Sequence, residues 1–159
     1  MTEQYDRWQA LTVRRPDDVP SATPLSWLVE KESEHAQLLF NNVLPLDRFP
    51  NTERGDAGDV LAVLALGEAI RRDVAYGRGS RVHEALRLGA TWSQVAAALD
   101  ITPDEARTVL QTYADGQRNL WLGYEAERIK PFGFDADTYE AALALVELGD
   151  DESAVASAR

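Results

Sequence analysis

The chain has 159 residues, of which 45% are hydrophobic and 27% charged, and its formal net charge is −11. This composition is typical of a folded globular protein and excludes a disordered or collagen-like chain. Because there is no cysteine, disulfides and thiolate sites are excluded. Two histidines leave little for a histidine-based metal site, and we expect neither a metal nor another cofactor.

The acidic charge is concentrated in the two ends of the sequence. Residues 71–130 contain 9 basic and 8 acidic side chains, whereas the segments on either side are strongly acidic. Local potential decides whether a polyanion is tolerated, so the near-neutral middle third is the part able to approach nucleic acid. The acidic start and the lack of a long apolar run predict a cytoplasmic protein with no membrane partner. Only two of the 16 basic residues are lysine, an excess of arginine that suggests a GC-rich bacterial genome.

Residues 1–24 contain three prolines and predict an extended N-terminal arm with a short strand over residues 8–13. Thr23 followed by Pro24 predicts a capped helix start, with the helix running to about Val43. Apolar residues at three-four spacing then predict a helix from Asp59 to Tyr76.

Gly77 and Gly79 predict the end of that helix, and Ser80 the cap of a short helix that reaches Leu88. Two capping boxes follow, in which a threonine and a glutamine or glutamate stand three residues apart. They open helices at Thr91 and at Thr102, and the second is predicted to continue to Ile129.

Asp137 and Glu140 predict the cap of a final helix that ends near Leu148, before a flexible acidic tail over residues 149–159. The whole is predicted to be all-α, with five to six helices. Residues 25–148 would form one helical domain, within which residues 80–129 have the spacing of a helix-turn-helix.

Several small and apolar side chains suit a close crossing of two helices at this point. Val95, Leu99 and Ile101 would form the wedge between the helices, and Ala96 would allow their approach. Asp100 occupies the turn position that requires a left-handed backbone, which aspartate tolerates. Trp92, at the second position of a capped helix, is expected to face outwards.

The sequence GATWSQVAAALDITPDEAR, from Gly89 to Arg107, resembles the helix-turn-helix of sigma-factor region 4 and of small actinobacterial regulators. The resemblance covers about an eighth of the chain. Asp100 departs from the usual glycine of the turn. The resemblance implies a DNA-binding transcriptional regulator that reads double-stranded DNA with the helix beginning at Pro103.

The same resemblance assigns roles by position. The base-facing candidates are Asp104, Arg107, Thr108 and Gln111, beside Pro103. The phosphate-binding candidates are Thr91, Ser93 and Gln94. Regulators of this kind commonly dimerise, and the long second helix carries surplus apolar residues, so we expect a homodimer.

An alternative stays open because Asp104 and Glu105 place carboxylates where a helix would approach phosphate groups. In that alternative the helix-turn-helix is a scaffold, and the acidic surface binds a protein partner. We expect no enzyme activity, since no residue is a convincing catalytic candidate. Glu32 and His35 have the spacing of a di-iron ligand pair, but His83 has no matching glutamate three residues before it.

Overall fold

The computed structural model describes residues 2–155, and within them all regular structure is helical. The six α-helices are α1 (Glu3–Ala10), α2 (Leu25–Phe40), α3 (Ala57–Arg87), α4 (Trp92–Leu99), α5 (Pro103–Ala126) and α6 (Ala136–Val146). Two 3-10 turns, Pro16–Asp18 and Asn41–Val43, lie in the connections. The all-α prediction and the number of helices are therefore confirmed, and no helix in the described range is long and apolar enough to cross a membrane.

Contacts between residues divide the chain into two compact units, Met1–Ala75 and Tyr76–Arg159. The boundary falls inside α3, whereas the sequence predicted boundaries near residues 24 and 148. Each unit has a core of its own. The first is built from Trp8, Val13, Leu28, Ala62, Ala65, Leu66 and Ala69. The second is built mainly from Val82, Leu86, Trp92, Val95, Ala96, Ala106 and Leu110.

The N-terminal arm is only partly extended. The strand predicted over residues 8–13 is wrong, because Glu3–Ala10 form α1. Trp8 and Val13 are buried in the first core, so the apolar residues of this segment are core residues. The buried Lys31 ammonium donates to the carbonyl oxygens of Trp8 and Gln9 and thereby closes the C-terminal end of α1.

The helix break predicted at Gly77 and Gly79 is also wrong, and α3 continues through both glycines. Gly79 serves a different purpose. A Cβ at this position would lie 2.7 Å from Cγ of Tyr113, so the missing side chain lets α3 and α5 approach each other. A Cβ at Gly77 would meet nothing within 4 Å. The separate helix from Ser80 therefore does not exist.

Two predicted caps differ from the observed ones. The Thr23 hydroxyl donates to the carbonyl oxygen of Pro20 and does not cap α2. The cap of α6 is Asp135, whose carboxylate accepts from the amide of Thr138 at 2.8 Å. Asp137, the predicted cap, lies inside the first turn of that helix. The starts of these helices thus differ from the predicted ones by one and two residues, and the N-cap position of α2 is Pro24, which provides no side-chain cap.

Candidate nucleic-acid interface

Helices α4 and α5 are joined by three residues, Asp100 to Thr102, and both helix starts have the predicted capping boxes. The Gln94 amide donates to the Thr91 hydroxyl at 3.2 Å, and the Gln94 side chain accepts from the Thr91 amide at 2.9 Å. Thr102 and Glu105 repeat the arrangement at 3.2 and 2.8 Å. The two boxes hold the N-terminal turns of both helices in fixed positions.

Asp100 has the left-handed backbone conformation that the sequence predicted, with φ 54° and ψ 45°. The chain therefore reverses within three residues, and the Ile101 amide donates to the Ala96 carbonyl oxygen at 3.1 Å. Val95 and Ala96 are buried. Leu99 and Ile101 are partly buried against the same core, as expected for the wedge between α4 and α5.

Trp92 does not face outwards, contrary to the prediction. Its side chain is fully buried, and its indole Nε1 donates to the carbonyl oxygen of Leu145 at 2.9 Å. The energetic reason is the size of the side chain: burying an indole removes more apolar surface from water than any other residue of α4 offers. The tryptophan thereby fixes the end of α6 against the start of α4.

The predicted base-facing residues divide into two groups. Asp104 and Thr108 are exposed on the first turns of α5, and the Thr108 hydroxyl donates to the Asp104 carbonyl oxygen. Gln111 is half-buried, and its side-chain amide donates to the Asp115 carboxylate at 2.9 Å. These three side chains lie on the same side of α5, since their spacing is four and three residues.

Arg107 is different, because its guanidinium has partners inside the protein. Nε donates to the carbonyl oxygen of Val146 at 3.2 Å, and Nη2 to that of Leu148 at 2.8 Å. The guanidinium also forms ion pairs with the carboxylates of Asp104 and Asp150, at 3.0 and 2.6 Å.

The guanidinium also lies over the Trp92 ring, 5.4 Å from its centroid, and only 18% of the Arg107 side chain is exposed. Arg107 thus anchors the chain after α6. It does not extend outwards as a base-reading side chain would.

The predicted phosphate-binding residues are likewise already hydrogen-bonded. Thr91 and Gln94 bond each other in the capping box. The Ser93 amide, at the second position of α4, donates to the carbonyl oxygen of Asp150 at 2.9 Å. Asp150 therefore contacts both Ser93 and Arg107. It was predicted to lie in a flexible tail.

No local pattern in the sequence indicated these contacts, since Asp150 is 43 residues from Arg107. Residues 156–159 of the predicted tail lie outside the described range.

The first turn of α5 carries two acidic side chains, Asp104 and Glu105. Hydrogen bonds from the amide and hydroxyl of Thr102 lower the pKa of Glu105, so this carboxylate is charged at neutral pH. The Asp104 side chain is 95% exposed. Negative charge at a helix N-terminus stabilises the helix through its dipole, but it repels an approaching phosphate group.

The remaining titratable clusters give no metal site within residues 2–155. His35 pairs with Asp59 through Nδ1 at 2.7 Å. His83 is packed beside the rings of Tyr113 and Phe134, and burial, with the nearby Arg87 charge, lowers the pKa of its imidazole. Both histidines thus have structural partners.

Comparison of the chain with family models, with curated proteins and with solved structures finds no match. A function for the chain is therefore inferred from its own residues and from the resemblance of residues 89–107.

Proposed function

We propose that the protein is a sequence-specific DNA-binding transcriptional regulator that uses α4 and α5 as a helix-turn-helix. The observation that carries the proposal is the short turn at Asp100, with a left-handed backbone, between two helices that are each closed by a capping box. This is the arrangement that lets a second helix enter the major groove while the first supports it. A cytoplasmic location follows from the same proposal.

Within this proposal, the exposed side of α5 reads the bases. Gln111 is suited to an adenine edge, and Thr108 can donate to or accept from a base. Asp104 can accept from the amino group of cytosine. Thr91, Ser93 and Gln94 lie at the start of α4, where side chains and backbone amides commonly contact phosphate groups.

We also propose that the protein acts as a homodimer. Several apolar side chains near the end of α5 and after it are exposed: Leu120 at 42%, Leu122 at 44% and Phe132 at 63%. Apolar side chains exposed to water favour burial against another chain, and in a homodimer two reading helices would meet successive turns of the major groove. Multi-angle light scattering tests this: a mass of one chain at micromolar concentration would contradict the dimer.

The DNA-binding proposal is tested by fluorescence anisotropy with a duplex from the protein's own promoter region and a scrambled duplex. The salt concentration should be about 50 and about 200 mM, a range over which phosphate-mediated binding weakens steeply. We expect Gln111→Ala to reduce the preference for the promoter duplex about tenfold, the value of one good base contact. Asn119→Ala, exposed eight residues further along α5, is the matched control and should change nothing.

A second candidate function is a protein-binding module in which α4 and α5 are a scaffold. It is favoured by the contacts of Arg107, whose guanidinium is held by Val146, Leu148 and Asp150. If neither duplex binds at either salt concentration, the protein-binding function replaces DNA binding. The acidic surface then contacts a basic protein partner.

A further inference from the structure

A short acidic segment, Gly149 to Ser153, lies against the start of α4. Asp150 makes two contacts there with different atoms: its carbonyl oxygen accepts from the Ser93 amide, and its carboxylate accepts from Nη2 of Arg107. Ser153 adds a third contact, because its hydroxyl donates to the carbonyl oxygen of Gly89 at 2.9 Å. The segment GDDES thus contacts both ends of the sequence stretch that resembles a helix-turn-helix.

These contacts are polar, and this distinguishes the segment from the residues just before it. Leu145, Val146 and Leu148 pack against the second hydrophobic core, whereas residues 149–153 contribute no apolar side chain. The side chains of Asp150, Asp151 and Glu152 are exposed or partly so. Removing the segment from α4 would therefore break a few exposed hydrogen bonds and an ion pair, and it would leave the core intact.

The donors that Asp150 uses are the kinds of group that bind phosphate. A backbone amide in the first turn of a helix and a guanidinium both favour an anion. The Asp150 carboxylate and carbonyl oxygen therefore occupy two donors that the oxygens of a phosphate group could use, the Arg107 guanidinium and the Ser93 amide. Asp151 and Glu152 add two further negative charges to the same segment.

We infer that the segment Gly149–Ser153 competes within the molecule with the DNA backbone for the α4–α5 surface, so that tight DNA binding requires the segment to leave. This inference depends on the proposed DNA-binding function. It also changes the role of Arg107 from base reading to phosphate binding. The carbonyl oxygens of Val146 and Leu148 and the Trp92 ring hold the guanidinium in place, so a phosphate group can replace the Asp150 carboxylate without moving the arginine.

The test compares two full-length variants that lose the same charge. Asp150→Ala removes the carboxylate bound to Arg107, whereas Asp151→Ala removes an exposed carboxylate next to it. Affinities for the promoter duplex are measured by anisotropy at about 100 mM salt. We expect Asp150→Ala to bind about tenfold more tightly than the unmodified protein, and Asp150→Ala/Ser153→Ala more tightly still. Asp151→Ala should change affinity no more than about twofold, since a single exposed charge is largely screened.

The outcomes separate this inference from the proposed function. If the unmodified protein binds the duplex and Asp150→Ala binds no better, or both single variants improve equally, the competition does not exist although DNA binding does. If no variant binds any duplex, the DNA-binding function and the inference both fail. Thermal unfolding of each variant, followed by near-ultraviolet circular dichroism, checks that a change in affinity is not caused by loss of the fold.

Discussion

Gly79 on α3 and Tyr113 on α5 are in direct contact, because the glycine has no side chain to separate them. A Cβ built at Gly79 would lie 2.7 Å from Cγ of the tyrosine, which is closer than two non-bonded carbon atoms approach each other. The contact is within the second unit and sets the distance between α3 and α5. Gly79 is therefore a packing residue inside a continuous helix.

Gly79→Ala should destabilise the protein by about 1–3 kcal/mol, the usual cost of overpacking a close contact. Gly77→Ala is the matched control, since its Cβ would meet nothing within 4 Å. That substitution should stabilise α3 by roughly 0.5–1 kcal/mol, because alanine is the better helix former. Urea unfolding of the two variants gives both values. A loss of stability in both would contradict this interpretation of Gly79.

Arg107→Ala should lower the free energy of unfolding by about 1–3 kcal/mol even without DNA. The substitution removes the donor that serves the partly buried carbonyl oxygens of Val146 and Leu148, and such acceptors are costly to leave unpaired. Urea unfolding without DNA measures the effect. Arg81→Ala is a suitable control, because the Arg81 ion pair with Glu84 is exposed; it should change stability by less than about 1 kcal/mol. Equal effects would show that Arg107 has no anchoring role.

Asp100→Gly should stabilise the turn between α4 and α5, and Asp100→Ala should destabilise it. The backbone of Asp100 is left-handed, with φ 54°, a conformation that costs alanine about 1 kcal/mol and that glycine adopts easily. Aspartate tolerates it better than alanine, because its short polar side chain can hydrogen-bond locally. Thermal unfolding midpoints of the two variants are compared with the unmodified protein. If alanine is tolerated as well as glycine, the left-handed conformation does not limit stability.

We expect the stabilisation that Asp59 contributes to be lost in acid. Hydrogen bonds from the Asp56 amide and from His35 lower the pKa of the Asp59 carboxyl from its ordinary value of 3.8. A folded-state pKa below the unfolded value means that this stabilisation is complete above about pH 4 and is lost as the pH falls through the folded-state pKa.

Urea midpoints between about pH 5 and pH 2 test this expectation. The midpoint of the unmodified protein should fall more steeply than that of Asp59→Asn. Asp47→Asn, at an exposed position in the connection before α3, should behave like the unmodified protein. Parallel curves for all three proteins would show that the Asp59 contacts contribute nothing.

Features encoded within a few residues were predicted well. The capping boxes at Thr91 and Thr102 and the left-handed turn at Asp100 depend on contacts between residues at most five apart. Each appears in the sequence as a polar residue at a fixed spacing. The all-α character followed equally from the periodicity of apolar residues.

Features that depend on distant partners were not predicted. Gly79 looks like a helix end in sequence, because the Tyr113 ring that requires a glycine is 34 residues further along. Arg107 looks like a base-reading residue, because its carbonyl partners, Val146 and Leu148, lie about 40 residues away, at the end of α6 and just after it. In both cases tertiary packing decides the role of the residue, and a single sequence carries no local sign of it.

Trp8 and Trp92 give each of the two units its own optical probe. Both rings are buried, and each has a cation near its face: Lys31 lies 5.3 Å from the centroid of Trp8, and Arg107 lies 5.4 Å from that of Trp92. Because the chain has four tryptophans, Trp27, Trp121 and one of these two must be replaced with phenylalanine, so that the remaining tryptophan reports on its own unit. Coincident fluorescence transitions would indicate that the units unfold cooperatively, and separate transitions would give each unit its own stability.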